Sequence, residues 1–170
     1  MRELLHWARH KRGYELALWT SASAPVAQGV AKHIFAAPKF DLLHDCVMVL
    51  DQTACGRKGR TDRNTPNFVK PLERIWLNPK YENVYTSANT LILDNEESKT
   101  ALNAENAVRV TTFDPSQENA EFGSGNEDED EDFGEGGALW HFLDALARQP
   151  DVDVQNFMKS NPIDSFRGMN

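Results

Sequence analysis

Five polar residues stand where short apolar runs stop or a helix is about to begin, and their types suit a phosphoryl group. Thr20 and Ser21 close the run YELALWTS, Lys70 lies in FVKPL, and Asp94 and Asn95 close TLILDN. A hydroxyl and an ammonium can hold phosphate oxygens, while a carboxylate can hold magnesium, which takes hard oxygen ligands. Taken singly, each residue also has a purely structural use. Threonine caps turns, lysine extends into solvent, and aspartate often follows a strand. Together, in this order and on one sheet, they form a phosphoryl-transfer set.

The elements that must position them can be read from periodicity and punctuation. From Arg2 to Lys11, the apolar Leu4, Leu5, Trp7 and Ala8 share one side of a helix that Gly13 stops. Tyr14 to Thr20 is a buried strand, and Ser23 with Pro25 opens a helix reaching Ala37. Cys46 to Gln52 is a second strand, followed by a polar, basic loop from Thr53 to Asn67 that carries Arg57, Lys58, Arg60 and Arg63. Pro71 begins a helix with Leu72, Ile75 and Trp76 on one face. TLILDN is a strand, SKTALN a short helix, Ala107 to Phe113 a strand, and Ala138 to Gln149 an amphipathic helix stopped by Pro150. Short apolar strands alternating with helices predict an α/β, Rossmann-like open parallel sheet with helices on both faces. Function in such sheets collects at the carboxyl ends of the strands, where Thr20 and Asp94 fall.

Bulk properties narrow the class. The 170 residues are enough for one domain with a core that needs no disulfide or metal. The net charge of −8 is local: Glu121 to Glu135 holds eight acids and no Lys or Arg, leaving 18 acids against 18 bases elsewhere. That block, rich in glycine and serine, predicts a disordered acidic insert over 118–137 within a domain spanning 1–150, with 151–170 as a C-terminal tail. Neither Cys46 nor Cys55 has metal-ligand spacing, and two thiols in such a chain suggest a reducing compartment, nucleus or cytoplasm. No apolar run is long enough to span a membrane. The acid-poor, amphipathic start resembles a weak presequence, which keeps a mitochondrial address as the alternative. No DNA- or RNA-binding motif is present, so direct nucleic-acid binding is not expected.

At YELALWTSAS, FVKPLERIW and NTLILDNEESKTALNAENAVRV the chain resembles the haloacid-dehalogenase superfamily. Within it, the resemblance is to the phosphatases that act on the C-terminal domain of RNA polymerase II. It runs from the start to about Gln149, and Pro71 departs from it, standing where many members carry an acid. The resemblance implies a Rossmann-like fold, magnesium, and hydrolysis of phosphoserine or phosphothreonine in a protein substrate such as that C-terminal domain. It implies that Thr20, with Ser21, binds the transferring phosphoryl group and that Lys70 neutralises its charge. Asp94 would bind magnesium, with Asn95 as its helper.

A larger departure concerns the nucleophile. The family's Asp-x-Asp motif ends a first, central strand ahead of the helix that here begins at Arg2. The match DVDV at Asp151 to Val154 follows Ala147-Arg148-Gln149-Pro150 rather than an apolar strand and reads as a turn after the last helix, and the DEDED run of the acidic insert fails the same test. The expectation is therefore an N-terminally truncated phosphatase-homology domain, missing its first central strand and inactive as given. The alternative is a non-catalytic binding module on the same fold, like the presequence-receiving subunit of the mitochondrial inner-membrane translocase, with the acidic insert attracting basic segments.

Overall fold

In the computed structural model the described residues are 1–36, 41–60, 64–111, 132–149 and 151–169. They form a mixed α/β chain in which three two-stranded sheets are held between helices. Helix α1 (Arg2–Arg12) ends as its sequence predicts. Gly13 adopts a left-handed φ of 75°, and the Tyr14 N–H reaches back to the Ala8 carbonyl. Four basic residues in its last turn face the exposed carbonyl end. Strand β1 (Leu16–Trp19) follows, then α2 (Ala24–Phe35) with Pro25 in its first turn, then β2 (Cys46–Leu50). β1 and β2 pair in parallel, as a crossover helix between them requires.

The second parallel pair is β5 (Ile92–Asp94) with β6 (Ala107–Arg109), joined through α4 (Glu97–Thr100) and a short 3₁₀ turn at Ala104–Asn106. Among the described residues the two pairs do not hydrogen-bond to each other, so the parallel strands form two small sheets rather than one open sheet. A cleft of about 700 Å³ lies between them, lined by β1, by Leu91 to Leu93 and by apolar residues of α1.

The polar stretch read as a loop from Thr53 to Asn67 is instead largely an antiparallel hairpin, β3 (Gly56–Arg60) against β4 (Pro66–Val69). Its strands lack apolar alternation because the ribbon is open to solvent on most of its surface. Gly56 permits the close pairing, since a Cβ there would meet the Val69 side chain at 2.9 Å. From β4 the chain passes through Lys70 into the single turn α3 (Glu73–Trp76).

Three apolar clusters tie the layers together. Leu91 and Leu93 pack with Leu4 and Ala8 of α1 and with α5 (Ala138–Ala147). On the opposite side, Ile92 packs with Leu72 and Ile75 and with Trp19 of β1. Leu16 and Leu18 lie against Ala31 and Phe35 of α2. The stretch 151–169 includes α6 (Val154–Ser160), and its buried Val154 and Phe157 join the α1–α5 cluster, where Phe142 meets Phe157 and Phe166 edge-on. Of the acidic insert read as unstructured over 118–137, residues 118–131 lie outside the described residues. Residues 132–137 form turns leading into α5, with Asp132 fully buried.

Candidate functional site

Lys70 is the first residue after β4, and its backbone N–H donates to the Lys99 carbonyl at 2.7 Å. Pro71 follows and starts the turn into α3, whose Leu72 N–H donates to Asn103 Oδ1. With both flanks pinned, the lysine side chain is directed inward, and only 8% of the residue is exposed. Its Nζ lies 2.6 Å from Oδ2 of Asp94, itself 8% exposed.

Asp94 is the last residue of β5. Its carbonyl accepts the Val110 N–H, and its Oδ1 accepts the Glu96 N–H at 2.9 Å. The carboxylate is thus held from two sides, by the turn after its own strand and by the lysine. A buried pair of this kind costs desolvation on both partners, but deleting one partner leaves an uncompensated charge at about 3–5 kcal/mol. The pair is held tightly whatever its net contribution.

An open pocket of about 390 Å³ exposes this pair, and Lys70, Asp94, Asn95, Lys99, Thr111 and Phe133 line it. Sequence reasoning did not single out Lys99. Its signal lay in the short helix SKTALN, where it stands three residues after Glu96 and ion-pairs with it. Phe133 is positioned by Asp132, whose Oδ2 accepts the Thr111 N–H at 2.6 Å and whose Oδ1 accepts from Arg167 Nε at 3.1 Å. Burial raises the Asp132 pKa. The Arg167 and Thr111 hydrogen bonds and the guanidinium charge outweigh that and hold it below the usual carboxylate value.

Thr20 and Ser21 do not line this pocket. Thr20 follows β1 and extends its ladder, donating its N–H to Leu50 O at 2.9 Å, and its Oγ1 accepts the Ala22 N–H at 3.2 Å. That local turn hands the chain to α2. Of the five residues singled out by sequence, the structure brings together Lys70, Asp94 and Asn95, and it leaves Thr20 and Ser21 at the end of the neighbouring strand pair.

Asp94 and Asn95 offer magnesium one carboxylate and one amide oxygen, and among the described residues no group of three or more His, Cys, Asp or Glu could hold a metal. Magnesium prefers six oxygen ligands, and Lys70 already lies against Oδ2. These residues do not make a magnesium site by themselves. The arrangement can do simpler chemistry: a mostly buried lysine, oriented by a carboxylate at the floor of an open pocket, presents positive charge to an anion arriving at the strand ends.

DVDV is not at a strand end either. Asp153 caps α6, its side chain accepting the Asn156 N–H at 2.9 Å, and Asp151 is exposed. A family model described as NLI interacting factor-like phosphatase matches residues 1–152. No curated protein matches the chain.

Proposed function

The chain belongs to the NLI interacting factor-like phosphatase family of the haloacid-dehalogenase superfamily, and from that premise we propose that the Lys70–Asp94 pocket is the phosphoryl-binding part of a protein phosphatase site. The observation that carries this reading is the buried 2.6 Å contact between Lys70 and Asp94 where β5 ends. On this reading Lys70 neutralises charge on the phosphoryl oxygens and Asp94 orients it. The Thr20 hydroxyl donates a hydrogen bond to the same group when the two strand pairs are bridged. The substrate is a phosphoserine or phosphothreonine segment, such as the C-terminal domain of RNA polymerase II. The basic hairpin residues Arg57, Lys58 and Arg60, on the ribbon that leads into Lys70, suit its negative charge.

A bound magnesium ion would supply further charge neutralisation, with Asp94 and Asn95 among its ligands and the other oxygens coming from elsewhere. Covalent turnover needs a nucleophilic carboxylate at a strand end, and among the described residues no Asp-x-Asp stands at one. The 170 residues alone are therefore proposed to bind phosphoryl groups without hydrolysing them. The fold completed by such a strand would be the Rossmann-like sheet of the family.

The test is hydrolysis of a phosphoserine peptide with magnesium, by the chain as it stands and by a version extended with an apolar strand ending in Asp-x-Asp. Activity is expected only in the extended form and should vanish in its Asp94→Asn variant. Undiminished turnover by that variant would remove Asp94 from the site. The acidic block at Glu121 to Glu135, with eight acids and no Lys or Arg, favours a second reading, a binding module without catalysis. That reading predicts salt-sensitive binding of a basic amphipathic peptide, and absent or salt-insensitive binding would exclude it.

A further inference from the structure

Among the described residues, three charged side chains line the open pocket: Lys70, Asp94 and Lys99. Lys70 and Asp94 neutralise each other, and with side chains only 10% and 5% exposed neither can leave without stranding a buried charge. A phosphoryl group on serine or threonine brings about −1.5 to −2 charges near neutral pH. The buried pair aims an ammonium at such a group but adds no net charge to balance it. Lys99 is the remaining cation, and it is held differently. Its backbone carbonyl accepts the Lys70 N–H at 2.7 Å, so the two lysines start from adjoining points of the frame. Its ammonium is tied to Glu96, three residues earlier on the same short turn of chain. Glu96 does not line the pocket, and its side chain is 51% exposed against 23% for Lys99. An ion pair at this spacing, with its acid half in water, is weak.

We propose that Lys99 is a second anion-binding residue of this pocket, held by Glu96 and released from it to a doubly charged tetrahedral anion. An arriving oxyanion replaces the Glu96 carboxylate as the partner of Lys99 Nζ, and Glu96, already half in solvent, is rehydrated. Lys70 cannot make the same exchange, because Asp94 would be left buried and unpaired. The two lysines therefore divide the work: Lys70 is a fixed, oriented donor, and Lys99 supplies the mobile positive charge. Selectivity by charge follows. A dianion offsets the lost Glu96 contact with a charge-assisted hydrogen bond, whereas a monoanion of the same size gains little beyond what Lys70 already provides. On the phosphatase reading, on which this inference rests, the pocket favours phosphate monoesters over singly charged phosphodiesters and sulfate esters.

The experiment is isothermal titration of the full chain and its variants with tungstate and with perrhenate, tetrahedral oxyanions of similar size that carry two and one negative charges. The unmodified chain is expected to prefer tungstate. Lys99→Met should weaken tungstate binding about tenfold, the effect of losing a hydrogen bond to a charged group, and should change perrhenate binding far less, so that the preference collapses. Lys99→Arg should restore most of it. Glu96→Gln, which keeps the lysine and loosens its restraint, should tighten tungstate binding about two- to threefold. Lys159→Met removes the same charge from the exposed face of α6 and should leave the preference unchanged, which separates contact from long-range attraction. The Lys99 carbonyl that holds Lys70 is untouched by these substitutions, and circular dichroism checks that each variant is folded. The proposal is overturned if the unmodified chain shows no preference, if the preference persists in Lys99→Met or falls equally in Lys159→Met, or if Glu96→Gln binds tungstate no more tightly. Binding lost in Lys70→Met but kept in Lys99→Met sinks this inference alone. No binding of tungstate by the unmodified chain sinks the phosphoryl reading with it.

Discussion

Two acid–base pairs with buried carboxylates lie at the β5–β6 strand pair, and they are built differently. Asp132 is fully buried, and both of its oxygens are taken by partners from other parts of the chain, Thr111 and Arg167. Arg167 also donates to the Arg109 carbonyl at 3.2 Å, so this pair fastens the C-terminal turn to the end of β6. Asp94 is held on one side by its own strand's turn and on the other by a single lysine, and the pair opens on a pocket. The first arrangement leaves no capacity for a ligand. The second keeps a charged donor oriented at a surface that a ligand can reach, which is why we assign function to it and structure to the other.

The largest expected effect tests the structural half. Asp132→Ala strips Thr111 of its acceptor and Arg167 of its main partner. Urea unfolding should show a loss of roughly 3 kcal/mol, the lower end for a broken buried pair because Arg167 is partly exposed. Because Asp132 also holds Thr111 and Phe133 at the rim of the pocket, anion binding by the fraction that stays folded should weaken, but by less than in a Lys70 variant. A loss below about 0.5 kcal/mol, the range of ordinary surface substitutions, would mean the clasp is dispensable.

The functional half is sharpened by a pair of variants. Lys70→Met leaves Asp94 as a buried, half-paired charge and should cost about 2–3 kcal/mol, less than a fully stranded charge because the Glu96 N–H remains. Lys70→Met with Asp94→Leu removes both charges and should recover most of that stability while anion binding stays lost. Recovery of binding in the double variant would contradict the assignment.

A smaller effect comes from pH. The folded Asp132 carboxyl has a pKa below its unfolded value. Its contribution is therefore fully present above about pH 4, the unfolded range, and is lost as pH falls through the folded value. Asp132→Asn should flatten the acid side of a stability–pH curve, and an unchanged acid slope would remove Asp132 as its source. The smallest effect is at Tyr85, whose hydroxyl donates to Glu15 at 2.7 Å beside the start of β1. Burial and the Glu15 contact push its pKa up to about 12. The neutral phenol is favoured by the fold, so its contribution holds below the unfolded pKa of about 10 and is lost as pH rises toward the folded value. Tyr85→Phe should cost about 1 kcal/mol near neutrality and abolish that alkaline decline.

The order of the parallel strands and their helices was legible because each carries a period that one layer of packing imposes. Leu91 and Leu93 face α1 and α5 while Ile92 faces α3. The β3–β4 hairpin was not legible, since GRKGR has no buried face and its pairing rests on Gly56 admitting Val69. Helix α6 was hidden by Pro150 and DVDV, although Val154 and Phe157 at i and i+3 were its signal. At the site, the residue types pointed to Lys70 and Asp94, but a direct contact across 24 positions depends on how Asn103 and Lys99 pin the turn around Lys70. The Asp132–Arg167 clasp had no local signature, because its acid belongs to a run of acids and its base lies 35 residues away.

The most direct measurement is isothermal titration of the unmodified chain and of Lys70→Met with tungstate, a phosphate mimic, at fixed low salt. The account predicts saturable binding to the unmodified chain and at least tenfold weaker binding to the variant, with circular dichroism showing both folded. Equal affinity in the two would contradict it.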